Sequence, residues 1–216
     1  PYYRYLDSRT PPRGPNCAAD FQRRRANYPH SWWGDTTPCP LEDDDYCDNW
    51  IARTGLELLE RAPHQQPWHL VVNFTGPHPP VDITRSMERR VRGPERVLEG
   101  LPQPYGYQGP LDAANLARNR QNYTAMIENI DRWLGVYLDR LERRGELENT
   151  IVVYASDHGE MLGDHNRWGK SLPFQSSMGV PLFFSGPGIE RGRVVAAPAT
   201  IMDLAATFLD YGGAPI

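Results

Sequence analysis

The sequence predicts an α/β fold, a mainly parallel sheet with helices on both faces. Three observations lead there. Two apolar, β-branched runs of strand length, WHLVVNFT (68–75) and TIVVYA (150–155), lack the alternation of a half-exposed strand and suit the interior of a parallel sheet. Stretches with apolar residues at helical spacing lie between and after them, as crossover connections require. At 216 residues and 39% hydrophobic content, the chain is long enough for one ordinary domain around a single sheet.

Residues 1–40 are rich in Pro, Arg and aromatics without periodicity, so they are expected to be an irregular segment that packs on the core. The acids EDDD (42–45) stand where negative charge favours a helix N-terminus, and YCDNWIARTGLELLERA continues amphipathically, which predicts a helix from about Asp43 to Arg61. WHLVVNFT follows as a buried strand, ended by GPHPP. From Asp112 to about Arg144, Met126, Ile130, Leu134, Leu138 and Leu141 recur at helical spacing, and Gly145 closes a long covering helix. TIVVYA is a second strand, VPLFFSG (180–186) a third, and IMDLAATFLDYG (201–212) a final helix stopped by Gly212. No internal repeat is present.

A formal net charge of -4 and a pI near 5.9 exclude a general nucleic-acid binder, which needs a basic excess to neutralise phosphates. The run RRR at 23–25 reads as a solvated face. No apolar stretch approaches the ~20 residues that span a bilayer, and the start lacks a signal-peptide layout. The chain therefore reads as soluble, with cytoplasmic and exported locations both open. It starts at Pro1 rather than Met and stops at YGGAPI, so a piece of a longer precursor is expected. Cys17, Cys39 and Cys47 are an odd number without CxxC and imply neither a zinc site nor a disulfide framework, although one pair could be bridged. Two N-x-T sequons occur, at Asn73 and Asn122, and the former, inside an apparent strand, reads as chance.

Ligands of open α/β sheets gather beyond the carboxyl ends of the strands. Asp157 and His158 are the residues just past TIVVYA, and His78 lies just past WHLVVNFT. Parallel strands would bring all three to one crevice. Aspartate oxygen and imidazole nitrogen can both ligate a divalent metal if the chain turns sharply between them, which Gly159 permits. A metal there would act as a Lewis acid on a bound oxyanion or activate a nucleophilic hydroxyl. Lys170 adds a point charge for the same anion. The plainer reading makes Asp157 and His158 caps of the next turn and Lys170 one exposed lysine among the rest.

These residues resemble a known family. SDHGEMLGDHNRWGK (156–170), followed by VPLFFSGPG, is similar to the second metal-binding segment of the sulfatases in the alkaline phosphatase superfamily, in the SDHG branch with iduronate sulfatase, choline sulfatase and phosphonate monoester hydrolases. FTGPHPP resembles that family's strand-end loop with its substrate-contacting histidine, and NYTAMIENIDRWLGVYLDRLE its helix before the metal strand. The resemblance covers roughly residues 41–212, and it implies an alkaline-phosphatase-like fold that is incomplete here. Residues 41–216 then correspond to the central and C-terminal part of a sulfatase catalytic domain.

Carried over residue by residue, the resemblance makes Asp157 and His158 the metal pair, Lys170 the sulfate contact and His78 the histidine near the leaving-group oxygen. Many sulfatases have Asn in place of His158; calcium is the first expectation, with manganese, magnesium or zinc also suited to the imidazole. Asp164 and His165 share the loop as second-layer or substrate contacts, or as ordinary exposed loop residues, and Glu160 is in the same position. Trp168 walls the pocket or packs the loop. The family's formylglycine arises from Cys or Ser in C/S-x-P/A-x-R. Cys17 (CAADF), Cys39 (CPLED), Cys47 (CDNWI) and Ser171 (SLPFQ) all fail that pattern. The nucleophile is therefore expected outside this chain, in a missing N-terminal part of the same protein.

Three functions follow. The first is a metal-dependent sulfuric ester hydrolase acting on a small-molecule or saccharide sulfate ester, with residues 1–216 inactive alone. The second is a phosphonate or phosphate ester hydrolase on the same scaffold. The third is a non-catalytic remnant that only binds anions. Residues 76–111 are the expected specificity loop, and Arg85, Arg89, Arg90, Arg92 and Arg96 either meet an acidic sugar or form a solvated face.

Overall fold

Tyr2–Ser8 form a helix, α1, where composition predicts irregular chain. Aromatic packing explains it: the Tyr2 and Tyr5 rings lie 5.6 and 6.0 Å from that of Trp50, and Leu6 is buried. The Tyr2 hydroxyl donates to the Asp45 carbonyl at 2.5 Å, and Arg9 pairs with the Asp45 carboxylate at 2.9 Å. The computed structural model describes residues 2–9, 33, 35–92, 106, 108–109, 111 and 113–214. Cys17, the RRR run and Arg96 lie outside them.

The chain divides into two compact units, Pro1–Gln103 with Pro110–Tyr137, and Pro104–Gly109 with Leu138–Ile216. In the first unit the acids form a 3-10 turn, Asp43–Asp45, followed by α2 (Cys47–Arg61). Ala52, Gly55 and Leu59 recur along its buried face. Gly55 admits the Tyr137 hydroxyl, which donates to the Ala52 carbonyl at 2.7 Å. A buried polar knot ties α2 to the long helix: Asn49 Oδ1 accepts from Asn129 at 2.8 Å and from the Trp133 indole at 2.5 Å, while its amide donates to the Asp43 carbonyl at 2.8 Å.

The segment 68–75 is extended, but no strand among the described residues pairs with it. The expected buried strand does not form: none of residues 68–75 is in a strand and none is buried. One face meets α2, where Val72 abuts Gly55; the other is open, with Val71 60% exposed. A ladder needs a neighbour on its edge, and the described residues supply none. Asn73 lies on the open side. The GPHPP loop carries cis peptides at Gly76–Pro77 and Pro79–Pro80.

A further helix, α3 (Arg85–Arg92), lies within the expected loop 76–111. Thr84 caps it by accepting the Met87 N–H at 3.3 Å, and Met87 and Val91 are buried one turn apart. Arg92 pairs with Glu88 at 2.5 Å and donates to Gln121 and Asn122. Arg90 lies 3.8 Å from Asp43, while Arg85 and Arg89 are solvent-facing. The long helix α4 spans Ala113–Arg143, and Met126, Ile130 and Leu141 are buried as its spacing predicts. Asn122 is wholly buried, donating to the Val81 carbonyl at 2.8 Å, so its sequon lies inside the core.

The second unit holds β1 (Val152–Ala155) and β2 (Leu182–Ser185). They pair antiparallel, Val152 with Ser185 through Ala155 with Leu182, which corrects the expectation of a mainly parallel sheet for the described residues. The connection between them explains the direction. It carries only a 3-10 turn, Asp164–Asn166, and the four-residue α5 (Gln175–Met178), not the crossover helix that usually joins parallel neighbours. The cross-strand rings of Tyr154 and Phe183 stack at 4.9 Å and support the register. The last helix, α6 (Asp203–Tyr211), forms as predicted, yet none of its residues is buried. No described helix is long and apolar enough to cross a membrane.

Candidate active site

The polypeptide leaves β1 at Ala155 and within three residues places Asp157 and His158 at the strand's carboxyl end. Gly159 follows, and its role differs from the expected sharp turn. Its φ is not positive; it is required because the Ser176 carbonyl occupies the space a Cβ would take. The Gly159 N–H donates to the Ser177 carbonyl at 2.7 Å, pinning the end of β1 to α5.

That pin orients His158. Its Nδ1 lies 2.8 Å from its neighbour Gly159's carbonyl. A carbonyl only accepts, so Nδ1 carries the proton and Nε2 presents its lone pair. Lys170 Nζ donates to that lone pair at 2.6 Å, and an Asp157 carboxylate oxygen lies 3.6 Å from the same nitrogen. The other Asp157 oxygen accepts the His158 N–H at 3.0 Å. The Asp157 side chain is 79% exposed and that of His158 29%, so the carboxylate is open to solvent while the His158 lone pair is engaged by Lys170. The structure thus brings together three of the residues singled out from sequence.

The loop carrying Lys170 is folded on itself. Glu160 accepts the N–H groups of Gly169, at 2.6 Å, and Leu162, at 3.2 Å, and Met161 is fully buried beneath it. Leu162, His165, Asn166 and Ser171 all have positive φ, from 45 to 72°, a conformation costing of order 1–3 kcal/mol per residue. Asp164 accepts from the Ser176 hydroxyl, and His165 is exposed with its ring stacked 4.1 Å from that of Phe174. Trp168 is half-buried. Sequence reasoning missed Glu160's clamping of the loop and the serine carbonyls behind Gly159, because both act across 9 to 18 positions with no local signal.

Asp157 and His158 suit a divalent cation as part of its shell. The carboxylate is exposed, the imidazole has its second nitrogen tied to a main-chain carbonyl as metal-bound histidines do, and a cationic ammonium already sits against the pair. Among the described residues no group of three or more His, Cys, Asp or Glu could hold a metal, so the other ligands would have to come from elsewhere. His78, in the first unit, is exposed, with Nδ1 2.7 Å from the Pro79 carbonyl. By the same reasoning its proton is on Nδ1. The described cysteines, Cys39 and Cys47, are unbridged thiols.

Residues 6–214 match the sulfatase family profile. The chain belongs to the sulfatase family. Among related sulfatases, an arylsulfatase of Clostridium perfringens is 28% identical over 196 residues, which is 81% of this chain and 40% of the relative. A choline-sulfatase of Rhizobium meliloti is 31% identical over 182 residues, 76% of this chain and 35% of the relative. This sulfatase chain thus spans about two-fifths of the curated relatives it matches. Its fold resembles a phosphonate monoester hydrolase of Silicibacter pomeroyi with a TM-score of 0.74 at 21% identity, over 96% of this chain and 48% of that one. A Bacteroides fragilis protein described as a sulfatase gives 0.66 at 26% identity, over 76% and 36%.

Proposed function

We propose that this chain is part of a metal-dependent sulfuric ester hydrolase and supplies one side of its active site. The observation that carries the reading is the convergence of Lys170 Nζ, His158 Nε2 and the Asp157 carboxylate at the end of β1 in a sulfatase-family chain. Asp157 and His158 would hold the divalent ion, calcium before manganese, magnesium or zinc. Bound there, it would supply Lewis-acid stabilisation of the ester's anionic oxygens. The Gly159 carbonyl keeps the His158 lone pair basic and aimed.

Lys170 presents a point charge to the sulfate, where negative charge grows as the ester bond breaks. His78 in its imidazolium form, with Nδ1–H kept on the Pro79 carbonyl, donates its Nε2–H to the leaving oxygen. The nucleophile, a formylglycine, is assigned to a part of the protein outside residues 1–216. Without that part residues 1–216 are inactive. The substrate is a small-molecule or saccharide sulfate ester.

The test is steady-state kinetics of the full-length protein on aryl sulfates with good and poor leaving groups. Lys170→Ala should slow both by roughly 10²-fold or more. His78→Ala should slow the poor-leaving-group ester by roughly 10²- to 10⁴-fold and the activated one far less. Wild-type rates in both variants would refute the assignment, and faster turnover of a matched phosphonate monoester than of the sulfate would move the protein to the alternative chemistry.

A further inference from the structure

We propose that the buried carboxylate of Asp48 is a positioning residue that holds the Thr75–Pro80 loop, and through it His78, in the geometry the leaving-group step needs. The inference rests on the reading of His78 above. Asp48 is the second residue of α2 and 1% exposed. Its Oδ1 accepts the Thr75 N–H at 2.7 Å and the Thr75 hydroxyl at 2.8 Å; its Oδ2 accepts the Gly76 N–H at 3.0 Å. All three donors are neutral and belong to the two residues where the extended segment 68–75 ends and the loop begins.

Those same two residues open the turn that carries the histidine. The His78 N–H donates back to the Thr75 carbonyl at 3.1 Å, and His78 Nδ1 closes on Pro79. Fixing Thr75 and Gly76 against α2 therefore fixes the base of the imidazole. A second feature agrees: a Cβ on Gly76 would collide with Asp48 Oδ2, so the loop backbone approaches the carboxylate as only glycine allows. Burial pushes the Asp48 carboxyl up, and the bonds from Thr75 and Gly76 oppose that shift. A buried carboxylate without a cationic partner among the described residues is costly, and the start of α2 recovers only part of the cost. The three donors it accepts from all belong to one loop.

The test uses the full-length enzyme and the variants Asp48→Ala, Asp48→Asn and Thr75→Val, each alone and combined with His78→Ala. Asp48→Ala should slow the poor-leaving-group aryl sulfate by roughly 10- to 100-fold, a part of the histidine's own contribution, and leave the activated ester within about 3-fold. Hydrogen exchange at the Gly76 and His78 amides should quicken. Asp48→Asn keeps one acceptor oxygen and should recover part of the rate. In the His78→Ala background, Asp48→Ala should add nothing, because both act through one group.

Equal slowing of both esters, or full additivity with His78→Ala, overturns the inference. Should Asp48→Ala fail to fold, Asp48→Asn and Thr75→Val carry the test, and a wild-type leaving-group dependence in both overturns it equally. Slow turnover in His78→Ala with a silent Asp48 defeats this inference alone. Wild-type turnover in His78→Ala defeats the histidine's role and the inference with it.

Discussion

A single main-chain acceptor decides what His158 can do: the Gly159 carbonyl accepts the hydrogen bond of Nδ1–H, so Nε2 is the nitrogen that offers a lone pair, here to the Lys170 ammonium. Cys47 is the opposite case, a side chain its surroundings silence. Burial, aided by the charge of Asp48 and opposed by a bond with Thr75, pushes its thiol up to about 11 from 9.0. The folded state therefore favours the protonated thiol. Its contribution to stability is complete below about pH 9 and is lost as pH rises toward 11, amounting to at most about 2–3 kcal/mol. Denaturant unfolding of wild type should show stability falling across that window, and Cys47→Ala should flatten the fall without abolishing it, since Tyr137 is also shifted up, to about 12. An identical slope in the variant would remove Cys47 from the account. The sequence shows that CDNWI lacks the nucleophile motif, but not the burial of this thiol or its bond with Thr75.

At the scale of elements, the junction of β1 with the site loop is held by a contact that tolerates no side chain. Gly159→Ala drives a methyl into the Ser176 carbonyl and should cost about 1–3 kcal/mol, as overpacking does. Because the same junction aims His158, metal affinity and turnover should fall further than stability. Calorimetric metal titration beside denaturant unfolding measures both, and wild-type affinity in a destabilised variant would show that the junction only holds the fold. Sequence made α2, α4, β1 and β2 legible because each has a period or an apolar run of its own. It missed α3, whose arginines mask the buried pair Met87 and Val91, although Thr84 stands as a cap before them. It misread 68–75, since an apolar run reports what a segment can bury and not whether a neighbour is present to bury it. The direction of β2 was equally invisible, being set by the connection rather than by either strand.

At the scale of the molecule, the sulfatase-family match runs through both units. The residues proposed for the site, SDHG, the following lysine and the GPHPP histidine, stand out in the sequence because strand ends in such folds carry the chemistry. Illegible were the supports, Glu160, Asp48 and the serine carbonyls, which bond across the chain. Val71 is exposed and no residue of α6 is buried. The account stands or falls on Asp157 and His158 holding a cation. The direct measurement is elemental analysis of the full-length protein after equilibration with calcium and removal of free ion, for wild type, Lys170→Ala and the Asp157→Ala, His158→Ala double variant, with folding verified for each. The account predicts bound metal in wild type and Lys170→Ala and its loss from the folded double variant, whereas equal metal in all three would contradict it.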